Sequence, residues 1–519
     1  MAAGSAATGR KIDIIHGSIK AVSSERQLFV DVVSVQYRAT AAIENAFMKT
    51  TTPPSCPYHA GANSSAPASH PPGTWPPGPP SGLTGWHFLR ALSRDLFGAW
   101  SAWRREYGDV FHLRMWPEHQ VVVTDPERVR ELLVDQHDAL VRWERGIEVF
   151  AQLHGNSTLT SEGAAWRTKR HALQPAFAPK AVQAFLPAIA AAADAAYAQW
   201  PQADDAWPIE SAFTSLGMDV IMRMTFSSGV TADTRDAEWA VHEASVAGNA
   251  ELYWPRSWPD WMPWKWKKRR ALATLDRLIA GHVQARMAMP RADWPQDLLT
   301  RLLALHVEDP ATWPLTAVRD ECMTAFLAGH ETTAATLTWW SWCMAANPSA
   351  QAAARAGVDA VLQGRQPTAA DLPALAYLGR TLQETLRLHP AAPVLISRRA
   401  VRPITLGGWQ LPARTIFAVP LQLMHHDARW FPEPEAFRPE RFAPGAPPIP
   451  RGAFMPFGTG PRVCLGQHLA LAEMTLLAAM FLQRYTVGVP AGMAPPRPVF
   501  NITLRPETPL TLRLTARTS

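Results

Sequence analysis

A mainly helical domain with small peripheral β-sheets is the fold class this sequence predicts, and three observations predict it. Stretches at 180–198, 209–226 and 268–288 are Ala-rich or amphipathic at helical spacing, and the apolar window 325–346 reads as a buried helix. Short Val-, Ile- and Phe-rich runs lie at the margins, at 110–115 and 120–124 early and at 404–408, 415–420 and 502–514 late. No repeat period that would point to a solenoid or propeller is present. Hydrophobic residues make up 47% of the 519, ample for a large core, while charged residues at 18% fall below the usual share.

Taken in order, residues 1–75 differ from the rest. The first 49 show some helical periodicity around 27–37 and carry no assignable chemistry. From 50 to 81 the chain is rich in Pro, Ser, Ala and Gly, including Pro76-Pro77-Gly78-Pro79-Pro80. Such composition favours extended conformations and builds no core. Residues 1–75 are therefore expected to form a poorly ordered N-terminal extension, and 76–519 the globular domain. The runs 110–115 and 120–124 should pair as a hairpin across Trp116-Pro117-Glu118-His119. Asp125-Pro126 should open a helix through 133, with proline at a favourable first-turn position. Tryptophan and basic residues at 254–270 admit a membrane-surface contact or a lid over substrate access. Pro255, Pro259 and Pro263 break any amphipathic helix there and favour the lid.

Fifty basic and 44 acidic side chains give a net charge of +6, too diffuse to argue for nucleic acid. Four cysteines at 56, 322, 343 and 464 have no paired spacing, which fits a reducing compartment. Cys56-Pro57-Tyr58-His59 is half a zinc site without a second half. No early apolar run is long enough to span a bilayer, and no secretory pattern precedes the domain. A cytoplasmic protein without a transmembrane segment is expected.

The most informative segment is Phe457-Gly458-Thr459-Gly460-Pro461-Arg462-Val463-Cys464-Leu465-Gly466. Gly458, Gly460 and Gly466 remove Cβ atoms where backbone bends tightly or lies against a flat group. Residues 467–484 read as a helix whose N-terminus beside the sulfur would favour thiolate over thiol. Arg462 supplies a fixed cation suited to a carboxylate, and Phe457 a flat apolar cover. Together they describe a site for haem. The pattern Phe-x-x-Gly-x-Arg-x-Cys-x-Gly resembles the haem-thiolate signature of the cytochrome P450 superfamily at every specified position.

Further motifs follow in that family's order. Trp166 and Arg170 share a helix face and can both donate to one carboxylate; they resemble the family's haem-propionate clamp. Ala328-Gly329-His330-Glu331-Thr332-Thr333 places a glycine in mid-helix, and the Thr332 hydroxyl can bond back to Ala328 O, opening a notch. It resembles the oxygen-activation motif, which makes Thr332 and Glu331 the residues serving proton delivery. Glu384 and Arg387, three apart, can pair on one helix face. The resemblance adds Arg441, from Pro439-Glu440-Arg441-Phe442, to make a buried triad bracing the cysteine loop. Ser397-Arg398-Arg399 stands where the family has another propionate-binding arginine; Arg398 is preferred, with Arg399 left open. Residues 502–506 look like the family's terminal hairpin.

The resemblance implies the cytochrome P450 fold, haem b (iron protoporphyrin IX) with Cys464 as axial iron ligand, and a monooxygenase that puts one atom of O2 into a substrate. Segments 141–159, 219–229, 323–331, 392–397 and 499–503 would line the pocket. They are mainly apolar, which favours a lipophilic small-molecule substrate such as a fatty acid, terpenoid or polyketide-like molecule. No flavin or iron–sulfur motif occurs, so electrons are expected from a separate ferredoxin and its NAD(P)H-dependent ferredoxin reductase. A haem-thiolate isomerase, lyase or peroxygenase, or a non-catalytic haem sensor, are the alternatives. The intact Glu331–Thr332 pair argues for the monooxygenase.

Overall fold

The structure, a computed structural model, describes residues 74–229, 232–252, 259 and 261–517. The expected extension falls outside these residues up to position 73, and the expected lid falls outside them at 254–258 and 260.

The fold is built around one 32-residue helix, Leu315–Ala346, whose residues are apolar on nearly every face and are accordingly buried. Ile209–Phe226 lies directly against it, and two glycines set the approach. A Cβ on Gly217 would meet the backbone oxygen of His330 at 3.1 Å, and one on Gly329 would meet Ile221 Cδ1 at 2.5 Å. The Ile221 side chain occupies the volume that a Cβ at Gly329 would take.

The helix Gln467–Arg484 packs against Pro179–Tyr197. Tyr197 Oη donates to Leu477 O at 3.0 Å, and Tyr485 Oη donates to Tyr197 O at 2.8 Å. Trp200, Phe213, Phe481 and Trp340 close an aromatic cluster around them. The amphipathic run near 268–288 is the helix Trp266–Ala288, which faces Ala232–Leu252 and the N-terminal half of the central helix.

The largest sheet has five strands, ordered Val110–Met115, Glu118–Val123, Ile416–Val419, Leu395–Ala400 and Leu140–Arg142. Its early hairpin forms, but the second strand already begins at Glu118, opposite Met115, so Trp116-Pro117 alone makes the connection expected to take four residues. Two further expectations are corrected. The helix from Pro126 keeps α geometry only to Arg130 and continues as a wider turn over Glu131–Asp135. The late run 502–514 is two strands in different sheets, Thr503–Pro506 and Leu512–Ala516, because Pro506 and Pro509 cannot continue one ladder. Among the described residues no single helix is long and apolar enough to cross a membrane.

Candidate active site

The cysteine loop gets its shape from backbone requirements. Gly460 has φ +71°, and a Cβ there would sit 2.3 Å from Leu133 O, so no larger residue fits. Gly458 also takes a positive φ. Gly466 does neither: its φ is −87° and nothing lies within 4 Å of the Cβ position, so the space beside it is open. Cys464 N donates to Phe457 O at 2.9 Å and closes the loop.

The Cys464 side chain is accessible, yet enough protein surrounds it that burial pushes the thiol up. Both hold for a group on the wall of an inner space. The Gly466 N–H and the Arg170 charge act in the opposite direction, so the expected help from the helix start is present, but burial outweighs it.

A second accessible surface interrupts the central helix. Phe326, Leu327, His330 and Thr333 are buried, whereas Ala328 is exposed and Gly329 and Thr332 are partly so. Thr332 Oγ1 donates to Ala328 O at 2.8 Å, the bond that the sequence spacing predicts. Glu331 accepts from Thr503 Oγ1 at 3.1 Å and lies 3.6 Å from Arg505 Nε. Arg505 also donates to Glu210 Oε1 at 3.1 Å, so one guanidinium stands between two carboxylates.

Arginines collect beside the cysteine. Arg462 stacks on the Trp166 ring at 3.7 Å, donates to Ser161 O at 3.1 Å and pairs with Glu162. Burial, then the neighbouring Arg142, push it down to about 9. Arg398 is pushed down to about 10 by burial and again by Arg142. Arg399 leaves the opposite face of the same strand, holds Glu118 at 2.8 Å and pairs with Glu144. The geometry therefore brings Arg398, not Arg399, into the cluster. The Trp166 indole N–H and the Arg170 guanidinium find no protein acceptor among the described residues.

The triad is assembled in full. Arg387 holds Glu384 through two bonds of 2.8 Å, and Arg441 Nε reaches Glu384 Oε1 at 3.2 Å. Arg387 also donates to the carbonyls of His425, Pro434 and Ala436. The His425 ring accepts the Met455 N–H at 3.2 Å, and Met455 O accepts from Gly458 N at 2.9 Å. Through His425 the triad reaches the cysteine loop.

Sequence reasoning gave no individual role to Arg142 or Thr503, which fall in segments expected to line the pocket, and missed Glu162, His425 and Arg505 as site residues. Arg142 stands opposite Arg398 in the ladder between Leu140–Arg142 and Leu395–Ala400. That adjacency has no local signal in the chain.

These residues fit haem. They offer an accessible thiol at an open glycine, donors lacking acceptors, and a carboxylate, Glu162, held between Arg142 and Arg462. Arg142 Nε is buried without a hydrogen bond. Such a site defines a haem-thiolate enzyme. A sequence model of the cytochrome P450 family matches residues 76–513, and the chain belongs to that family. It is 31% identical over 441 residues to a protein of Mycobacterium tuberculosis named as cytochrome P450 132, covering 80% of this chain and 92% of the relative. A cyclooctat-9-en-7-ol 5-monooxygenase of Streptomyces melanosporofaciens is 32% identical over 386 residues, covering 73% and 82%. Cytochrome P450 734A4 of Oryza sativa is 31% identical over 423 residues, covering 75% and 78%. The protein is a cytochrome P450 monooxygenase that carries haem on a cysteine thiolate and uses O2 with electrons from a redox partner.

Proposed function

We propose that this monooxygenase hydroxylates or epoxidises a lipophilic, largely hydrocarbon substrate with electrons from a separate ferredoxin and its NAD(P)H-dependent reductase. Residues 76–519 are taken as the catalytic domain, with 1–75 as an extension, in the cytoplasm, where scattered cysteines stay reduced. Cys464 would ligate the haem iron. Trp166, Arg170, Arg398 and Arg462 would receive the propionates, and Phe457 and the loop glycines would cover the haem on the cysteine side. A haem held there by a thiolate would supply the oxygen chemistry, since thiolate ligation favours O–O cleavage.

The protein's own residues bind, orient and move protons. The observation that carries the reading is the accessible notch at Ala328–Thr332 in an otherwise buried helix. By donating to Ala328 O, the Thr332 hydroxyl turns its lone pairs to the notch and can accept a hydrogen bond there. Glu331, held at its carboxylate by Thr503 and Arg505, sits next in the chain and can pass a proton towards it. The residues just before the notch, Met323, Phe326 and Leu327, are buried and apolar. The name of the Streptomyces relative describes a cyclic alkenol as its substrate, which supports a lipophilic class here.

The test begins with the carbon monoxide difference spectrum of the dithionite-reduced protein. A strongly red-shifted Soret band, lost in Cys464→Ser, is expected; haem uptake without that shift overturns the ligand assignment. Turnover of fatty acids and cyclic terpenoid alcohols with a ferredoxin and reductase, NAD(P)H and O2 should then give products containing one added oxygen. Product from hydrogen peroxide alone, at a rate indifferent to ferredoxin, would instead select the peroxygenase alternative.

A further inference from the structure

In the central helix Thr332, Thr336 and Thr338 each donate back to the carbonyl four residues earlier. Thr324 does not. Its Oγ1 makes one side-chain bond among the described residues, of 3.2 Å, with His154 Nδ1 at the end of the helix Glu144–His154. The chain just past His154 is pinned to the same stretch of the central helix. Gly155 turns at φ +55°, with its Cβ position 2.2 Å from the Asp320 carboxylate. Asn156 N donates to Asp320 Oδ2 at 2.7 Å, and Thr158 N donates to Glu321 Oε1 at 2.7 Å. His154 therefore meets Thr324 from a helix end that is fixed in place.

Thr324 shares a face with the notch. Positions 324, 328 and 332 are four apart, and Thr324, Ala328 and Thr332 all keep accessible surface while Met323, Phe326 and Leu327 are buried. Four residues of helix put Thr324 roughly 6 Å before Ala328 along the axis. His154 is buried, its ring lies 6.2 Å from that of Phe150, and it forms no ion pair among the described residues. Burial pushes it down to about 4, so the imidazole is neutral at neutral pH. A neutral ring can present Nδ1 as acceptor or as donor. If Nδ1 accepts, Thr324 donates to it and keeps its lone pairs for a ligand. If Nδ1 donates, the Thr324 proton is left to give. A hydroxyl group, being donor and acceptor at once, satisfies either state. A carboxylate satisfies only the second, and it would lose its hydration with no cation to meet it.

We propose that Thr324, oriented by His154, binds the hydroxyl of a lipophilic alcohol and holds it about one helical turn from the notch at Ala328–Thr332. The inference rests on the monooxygenase reading and narrows its substrate class to neutral alcohols whose oxidised carbon lies several bonds from the hydroxyl. Thr324 determines specificity because it touches the substrate. His154 is a positioning residue that acts through Thr324.

The experiment uses the haem-loaded full chain, with 1-dodecanol, dodecane and dodecanoic acid as probes and cyclododecanol with cyclododecane as a second matched pair. Affinities are read from the change in the haem absorption spectrum, and products from turnover with ferredoxin, reductase, NAD(P)H and O2. Dodecanol should bind more tightly than dodecanoic acid, and its product should carry the new oxygen several carbons from the hydroxyl. Thr324→Val, which keeps the side-chain shape, should lower the alcohol-to-hydrocarbon affinity ratio about tenfold, the loss of one buried hydrogen bond. Thr324→Ser should restore most of it. His154→Phe should lower the ratio several-fold, since the Thr324 hydroxyl is then free to bond back to Asp320 O. The carbon monoxide band, retained in every variant, shows that the haem site is intact. The proposal is overturned if Thr324→Val leaves the ratio at its wild-type value, if the acid binds more tightly than the alcohol, or if oxidation falls on the carbinol carbon. An unchanged ratio in His154→Phe overturns the positioning role. If none of the five probes perturbs the spectrum of a wild-type protein that shows the red-shifted band, the lipophilic reading fails and takes this proposal with it.

Discussion

Arg387 grips Glu384 through two parallel hydrogen bonds of 2.8 Å, and neither side chain has any solvent exposure. A bidentate pair so fully desolvated needs partners for its remaining polar atoms, and every guanidinium N–H of Arg387 has one. Glu384 Oε1 also accepts from Arg438 N and Arg441 Nε, and Arg387 gives its other protons to three carbonyls. Removing one partner strands the other. Glu384→Ala or Arg387→Ala should cost roughly 3–5 kcal/mol and lower haem content, because the network reaches Met455 of the cysteine loop through His425. Denaturant unfolding followed by circular dichroism, with haem counted per chain, checks this. A change below about 1 kcal/mol, the scale of an exposed pair, would contradict the bracing role.

Thr332→Ala removes the hydroxyl bonded to Ala328 O and leaves the haem contacts untouched. The variant should keep its haem and its carbon monoxide spectrum while several-fold more of the NAD(P)H consumed appears as hydrogen peroxide. Product and peroxide measured together decide it. Unchanged coupling would take Thr332 off the proton path.

Arg505 and Thr503 hold the Glu331 carboxylate from the terminal hairpin, so their loss should be felt in proton delivery. Arg505→Gln should lower product per NAD(P)H and alter the pH profile of coupling. Thr503→Val removes a single neutral donor, worth about 1 kcal/mol, and should do less. If both variants retain the wild-type pH profile, the hairpin contacts are structural only.

Glu473, on the helix that follows the cysteine, is 4% exposed and has no partner for its carboxyl among the described residues. Burial pushes it up from 4.5 to about 8. Below pH 4.5 both folded and unfolded chains hold the proton, and the contribution to stability is fully present. As pH rises towards 8, the unfolded chain releases the proton first and stability falls. Glu473→Gln should flatten that slope and be more stable than wild type at pH 9 by roughly 3–5 kcal/mol, if no other group titrates with it. Parallel slopes for the two proteins between pH 5 and 9 would refute it.

Arg398 and Arg399 are adjacent in sequence and opposite in setting. Arg398→Gln should weaken haem retention. Arg399→Gln should leave the haem spectrum intact while lowering Tm, through loss of its contacts with Glu118 and Glu144. Equal haem loss in both variants would mean that the strand faces are not functionally distinct.

Much of this was legible in the chain. Local chemistry carries the cysteine loop, the Thr332–Ala328 bond and the Glu384–Arg387 pair, because each rests on spacings of ten residues or fewer. Helical periodicity likewise located the central helix and most of its neighbours. Choosing between Arg398 and Arg399 required knowing which face of a strand meets Arg142, and that depends on a ladder joining residues 256 positions apart. The side chain that fills the Cβ space at Gly329, Ile221, comes from another helix.

By itself, then, the sequence determined the class of protein and its cofactor, and it singled out the cysteine loop and the Glu331–Thr332 pair as candidates, since motif spacing and backbone geometry are local properties. The tertiary structure alone decided the charge of the haem surroundings and the grip on Glu331. Electrostatic coupling depends on distance through space, and Arg142, Glu162, Arg398 and Arg462 are brought together only by the folded chain.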